Sequence, residues 1–339
     1  MLIPARFEVH LRAPALRVPL AAVSLLAAAM LTGCGSGEQE AEPETLPEET
    51  EEAHVPAMEQ VQLDPVTTIR RLSDAETDEF VGGWSPDGKR ILYARRDPRG
   101  VDIHVRDLDG SNDRNLTDAT GADTGGDWNR DGTKILFTSN RSLRNNVWMM
   151  DPDGSNPINL TNWTSRDWLP AWSPDGKSFA FTSNRRGSED IYLVDLAVAL
   201  DPDSDGTEAL RLTENQDYDA GPRFSPDGTR LAFHRSKAPS QFSIIVINVD
   251  GTSEVELTDP KLNTIYPDWS PDGTRIAYCS KQNGHFDIYM MNADGTEQTR
   301  LTVDHGKDFL PRWSPDGRTI LFHSDRNGTE DLHLLDVPE

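Results

Sequence analysis

The sequence predicts an all-β, six-bladed propeller of four-stranded antiparallel blades, and three observations predict it. A turn pentapeptide recurs six times, beginning at Trp84 (WSPDG), Trp128 (WNRDG), Trp172 (WSPDG), Phe224 (FSPDG), Trp269 (WSPDG) and Trp313 (WSPDG). The copies stand 44, 44, 52, 45 and 44 residues apart, a spacing at which each repeat is one supersecondary unit. Between them lie short runs rich in β-branched and aromatic residues, bounded by Pro, Gly, Asp and Asn, which read as strands and not helices.

The chain has 339 residues and a net charge of −24, which argues against binding nucleic acid through phosphates. Residues 1–33 read as a targeting segment. Arg6, Arg12 and Arg17 precede an apolar run from Val18 to Leu31, the length of a signal core and short for a membrane span. Leu31-Thr32-Gly33-Cys34 then resembles the bacterial lipobox, which implies cleavage before Cys34 and its lipidation. A plain secretory signal and a short membrane anchor are the alternatives. Residues 34–65 form an acidic tether, with Glu38, Glu40, Glu42, Glu44, Glu48, Glu49, Glu51, Glu52 and Glu59 and no Lys or Arg. Such a composition buries too little apolar surface to fold.

The propeller is expected over 66–339. In each repeat Ser-Pro-Asp-Gly makes a turn, because proline presets φ and glycine takes the left-handed backbone. A run such as Ile91-Leu92-Tyr93 follows, then a second such as Asp102-Ile103-His104, then an Asp-Gly turn, then Leu-Thr. The last repeat ends without its Leu-Thr strand. Ile69-Arg70-Arg71-Leu72-Ser73 matches that strand, so the segment near Val66–Ser73 is predicted to complete the last blade and leave no open edge.

These repeats resemble the TolB-type WD-like propeller repeat of bacteria over roughly 66–339, with the tether where TolB itself carries an α/β domain. The resemblance implies a periplasmic binding role beside an envelope lipoprotein. Similar repeats also occur in propellers attached to hydrolase domains.

Five residues before each repeat's aromatic stand Glu79, Asp123, Asp167, Asp219, Thr264 and Asp308. They fall where the chain enters the innermost strand, at the channel mouth on the loop face, where function usually resides. Loops on the same face carry Arg96, Arg141, Arg185, Arg235, Lys281 and Arg326, among other basic residues. Two arrangements fit: a site for a cationic peptide segment or a divalent cation such as Ca²⁺, or arginines pairing with carboxylates of an adjacent blade. Asp201, Asp203 and Asp205, in the excess of the third repeat, open like a calcium loop, but Leu212 stands where the bidentate Glu belongs. An acidic hairpin on the tight-turn face is the expectation there.

The histidines do not converge, and Cys279 reads as a buried strand residue. No phosphate loop, nucleophile elbow or zinc motif occurs in the mature domain. The expected function is a lipid-anchored, non-enzymatic binding propeller of the cell envelope that takes a protein or peptide partner. The rival is a hydrolase or lyase acting on a saccharide or peptide through the channel-mouth carboxylates. No oligomeric state follows from the sequence.

Overall fold

The computed structural model describes residues 68–73, 76–303 and 306–338. The targeting segment, Cys34 and the acidic tether lie outside the described residues. Those described form six four-stranded antiparallel sheets, one per repeat. Blade one is Glu79–Trp84, Arg90–Asp97, Gly100–Asp107 and Arg114–Asn115, from the channel outward. The outermost strands of blades one to five are two residues long, which limits the paired edge each blade exposes.

The turn chemistry is met atom by atom. In blade one Ser85 Oγ donates to Asp87 Oδ1 at 2.6 Å and accepts from the Arg90 N–H at 2.9 Å, while Gly88 takes φ +68. The Ser85 hydroxyl holds the Asp87 carboxyl below the usual carboxylate range.

The core lies between blades, as expected where each repeat packs only on its neighbours. One cluster joins Leu136, Val147, Met149 and Leu160 of blade two to Trp172, Phe179, Phe181, Tyr192 and Val194 of blade three. At the seam, Leu321, Leu332 and Leu334 of blade six pack on Val81, Ile91 and Tyr93 of blade one.

The ring closes through its N-terminal strand. Ile69–Arg71 pairs with Asp331–Asp336, Ile69 opposite Leu335 and Arg71 opposite His333. It brings the full inventory of the repeat with it. In blades one to five the Thr of Leu-Thr accepts a backbone N–H from the third strand, as Thr117 does from Ile103 at 2.9 Å and Thr213 from Ile191 at 3.0 Å. Ser73 does so for Leu332 at 3.0 Å. Arg71 pairs with Asp331 at 2.7 Å, as Arg211 does with Asp190 and Arg300 with Asp287.

Candidate functional site

Strand register explains the acidic positions. Each stands opposite the end of its own blade's second strand: Glu79 opposite Arg95, Asp123 opposite Ser139, Asp167 opposite Ser183, Asp219 opposite Arg235, Thr264 opposite Ser280 and Asp308 opposite Ser324. Where the opposite residue is Arg, the pair forms directly, at 2.8 Å for Arg95–Glu79 and 2.7 Å for Arg235–Asp219. Where it is Ser, an arginine two residues on folds back. Arg141 reaches Asp123 at 2.5 Å, Arg185 reaches Asp167 at 3.3 Å and Arg326 reaches Asp308 at 2.8 Å. Each guanidinium also lies over an aromatic ring of its blade, Arg185 at 4.5 Å over Tyr192 and Arg326 at 5.2 Å over Phe322, a favourable cation–π geometry. Blade five has neither member. Thr264 replaces the acid, Gln282 replaces the arginine, and Thr264 Oγ1 meets Thr258 Oγ1 at 2.5 Å.

All five carboxylates are buried. Burial pushes the Asp123 and Asp167 carboxyls up, against the pull of Arg141 and Arg185. The structure therefore places these residues inside the blades as ion pairs and not as an open acidic ring. The pairs lie within one blade, not across adjacent ones, because the antiparallel register sets acid and base side by side. Arg96 pairs with Asp78 at 3.3 Å instead, and the Lys281 ammonium lies 5.9 Å over Phe286.

The channel narrows at the middle of the innermost strands. Register shifts in all six of them at a bulge, and Gly125, Leu169, Gly221, Tyr266 and Leu310 there take positive φ. The N–H freed by the bulge is taken up by a second-strand side chain of the preceding blade. Leu169 donates to Thr138 Oγ1 and Gly221 to Thr182 Oγ1, both at 3.1 Å, while Tyr266 and Val81 reach Nδ1 of His234 and His323 at 3.5 Å. These two histidines must be neutral to accept, and burial pushes both down to about 3. Just below, Arg223 bridges Asp268 at 2.9 Å and Asp127 at 3.6 Å. Arg312, held by the carbonyls of Gly82 and Pro311, is pushed down to about 10 by burial and then by Arg223. The free space at this waist is about 30 Å³, room for a single water.

The loop face carries Leu143, Arg166 and Glu330, which the sequence reading passed over, beside Arg144 and Arg186, which belong to its basic loops. Leu143 is 97% exposed and takes φ +75. Its N–H closes a turn on Asn140, at the position where Gly187, Gly284 and Gly328 close the same turn in blades three, five and six. Around it, three loops are tied together: Arg144 donates to the Thr164 carbonyl at 2.6 Å, Asp167 to the Asn145 carbonyl at 2.9 Å, and the Arg166 N–H to Asn184 at 3.0 Å. Arg144, Arg166 and Arg186 are exposed and form no ion pair among the described residues. At the seam, burial, with Asp325 and Asp78 nearby, pushes the Glu330 carboxyl up to about 7.

The insertion of blade three differs from the expected hairpin. It forms a short helix, Leu196–Ala199, and an exposed acidic loop. Asp201 and Asp205 accept the N–H groups of Asp203 and Thr207. The loop also leaves the tight-turn face: Gly206 packs on Trp163, and its carbonyl accepts from Arg185 at 2.9 Å. Only Gly fits there, since a Cβ would stand 2.4 Å from the indole. Among the described residues no three His, Cys, Asp or Glu form a metal-holding group. His285 stands 4.0 Å from Asp287, and His305 lies outside the described residues. Cys279 is buried, which pushes its thiol up. No helix among the described residues is long and apolar enough to cross a membrane.

Six repeats, each with a bulged innermost strand and a sealing serine or threonine and five of them with a buried ion pair, define a six-bladed propeller of the WD-like class. The sequence profile of the TolB β-propeller domain matches residues 143–263 and 196–338, and the chain belongs to that family. No curated protein matches it. Among solved structures it is similar to TolB from Acinetobacter baumannii, at 22% identity and TM-score 0.60 over 74% of this chain. The chain spans 64% of that protein, under two thirds of its length. It is also similar to a putative TolB from Agrobacterium tumefaciens, at 21% identity and TM-score 0.60, covering 80% of this chain and 97% of that one. An oligogalacturonate lyase in complex with manganese shares 17% identity and a TM-score of 0.55, covering 80% of this chain and 93% of the lyase. At these identities the likeness is one of fold.

Proposed function

We propose that this chain is a non-enzymatic binding propeller of the bacterial cell envelope, held to a membrane by lipid on Cys34, that presents its loop face to a protein or peptide. The observation that carries this reading is Leu143. A non-glycine residue in the left-handed region costs roughly 1–2 kcal/mol, and its side chain stands in water although three sister turns use glycine. Such a residue makes sense as an anchor that a partner takes up. The unpaired Arg144, Arg166 and Arg186 around it, on an acidic chain, favour an acidic partner segment bearing an apolar residue. This reverses the charge expected of a channel-mouth partner, because the ring carboxylates are already matched by arginine. In this reading the buried pairs fix the loops that present the patch.

The test is capture from solubilised envelope with the full chain, beside Leu143→Gly and a triple change of Arg144, Arg166 and Arg186 to Ser. A partner held by the wild type and lost from both folded variants supports the reading; equal capture by all three overturns it. Incorporation of labelled fatty acid, abolished in Cys34→Ala, tests the anchor.

The rival enzyme reading, built on the channel-mouth carboxylates, finds those held by arginine and turns to Glu330, whose Oε2 is buried without a hydrogen-bond partner and whose carboxyl is pushed up to about 7 by burial, with Asp325 and Asp78 nearby. It predicts turnover of a saccharide or peptide that Glu330→Gln abolishes without lowering the melting temperature.

A further inference from the structure

On the tight-turn face, proline does more than preset a turn. A side chain placed on Gly88, Gly132, Gly228, Gly273 or Gly317 would meet the turn proline of the preceding blade within 4 Å. On Gly176 it would meet nothing, because the preceding turn is WNRDG and carries Arg130 instead. The turn itself does not need the arginine. Asn129 Oδ1 accepts the Lys134 N–H at 2.9 Å, as the serine hydroxyl does in blade one.

At this gap a cavity of about 190 Å³ opens at the tight-turn mouth of the channel. Trp128, Ala171, Trp172, Pro174 and Phe224 form its apolar walls, and Arg130 lines it. Trp172 is only 6% exposed, yet its indole N–H meets no acceptor, and that of Trp128 meets none either. In blades one and five the same N–H donates to the preceding blade, Trp84 to the Arg312 carbonyl at 3.0 Å and Trp269 to the Arg223 carbonyl at 3.2 Å. Trp313 also lacks an acceptor, but Pro271 covers that boundary.

The acidic groups at the cavity are already engaged. Asp127 accepts the main-chain N–H of Trp172 at 3.1 Å and Asp268 the main-chain N–H of Trp313 at 2.8 Å, and both face Arg223. What stands unused is all donor: the buried Trp172 indole N–H and the Arg130 guanidinium, which forms no ion pair among the described residues; the Trp128 N–H belongs to the preceding boundary, which Pro86 covers. Buried donors seek acceptors, and a guanidinium selects a carboxylate.

We propose that this cavity binds a carboxylate carried on an apolar body, with Arg130 and the Trp172 indole N–H as its donors. The carboxylate belongs to a small organic acid or to the C-terminus of a peptide. The site lies on the face opposite Leu143, so its failure and that of the loop-face reading are separable.

The experiment follows the indole ¹H–¹⁵N resonances of the full chain, with Trp172 assigned through Trp172→Phe. The probes are phenylacetate, a pentapeptide ending in Phe with a free carboxylate, and the same peptide amidated. The Trp172 resonance should move saturably with the first two and stay still with the third. Tighter binding of the free peptide than of phenylacetate assigns the site to a C-terminus, and the reverse to a small acid. Arg130→Pro, which restores the repeat's own residue, should abolish the movement while the protein melts no lower. A resonance unmoved by both carboxylates, moved equally by the amidated peptide, or moved equally in Arg130→Pro overturns the proposal.

Discussion

Two blade boundaries make the most instructive pair. Blade six is built from both ends of the fold, its third strand Asp331–Asp336 pairing with Ile69–Arg71, which then leads on into blade one, and at its boundary with blade one every rule of the repeat is kept. Pro315 covers Gly88, Trp84 donates to Arg312, Ser73 caps Leu332 and Arg71 pairs with Asp331. Blade two is one unbroken stretch of chain, yet at its boundary with blade three the rules lapse. Arg130 replaces proline, the Trp172 indole N–H has no acceptor, and Leu143 stands where glycine belongs. Regularity gathers beside the blade whose outermost strand is held to its neighbour by noncovalent contacts alone. Departures gather where covalent continuity tolerates them, and there they are free to serve binding.

The harshest way to break the comparison is to remove residues 69–73. This leaves Asp331 buried without its arginine, a loss of about 3–5 kcal/mol by itself, and exposes the edge of blade six. A fall in melting temperature of about 10 °C or more is expected; unchanged melting would refute closure by this strand. Ser73→Ala and Thr161→Ala remove the same hydroxyl at the seam and in blade two. Each should cost about 1–3 kcal/mol, and denaturant titration giving equal losses would show that the closing strand is held as firmly as the outermost strand of an unbroken blade.

Next comes acid. His323 and His234 have folded values of about 3, below the ordinary 6.5. The unfolded chain therefore binds more protons between these limits, so stability is full above pH 6.5 and falls as pH drops toward 3. Each histidine should cost on the order of 1–2 kcal/mol at pH 5. Thr138 holds the same position at the boundary of blades two and three and does not titrate. Hydrogen exchange at pH 4.5 should thus open the seam before that boundary, and His323→Thr should remove the difference. Smaller effects come from repairing the irregular boundary. Leu143→Gly should stabilise by about 1 kcal/mol, and Arg130→Pro by about 0.4–1 kcal/mol, both read from melting curves.

The fold was legible because its turns are chemical necessities that recur at one spacing, and even the closing strand announced itself through Leu72-Ser73. The acid positions, the loop arginines and their pairing as one of two arrangements were legible too, but not that each pair forms within a single blade. Asp167 stands opposite Ser183, and only that register brings Arg185 back to the same blade. Burial of the carboxylates follows from that pairing and leaves no trace in residue type. Arg130 was visible as an irregular copy of the turn, yet its consequence depends on Gly176 of the next blade. Leu143 is an ordinary residue in sequence and becomes conspicuous only through its backbone angle. The route of the blade-three insertion toward Arg185 depends on Gly206 fitting beneath Trp163, a contact no local pattern encodes.

The closing strand also sets a clock. Arg71 and Asp331 are separated by 260 residues, so the first of the described strands to leave the ribosome waits for the last of them. At about 5–20 residues per second that wait runs from roughly ten seconds to nearly a minute. Throughout it, Ile69, Leu72 and the open flank of blade one are without their partners. Whatever escorts the nascent chain must keep that flank from pairing with a neighbour's, and the final residues, by arriving, release it.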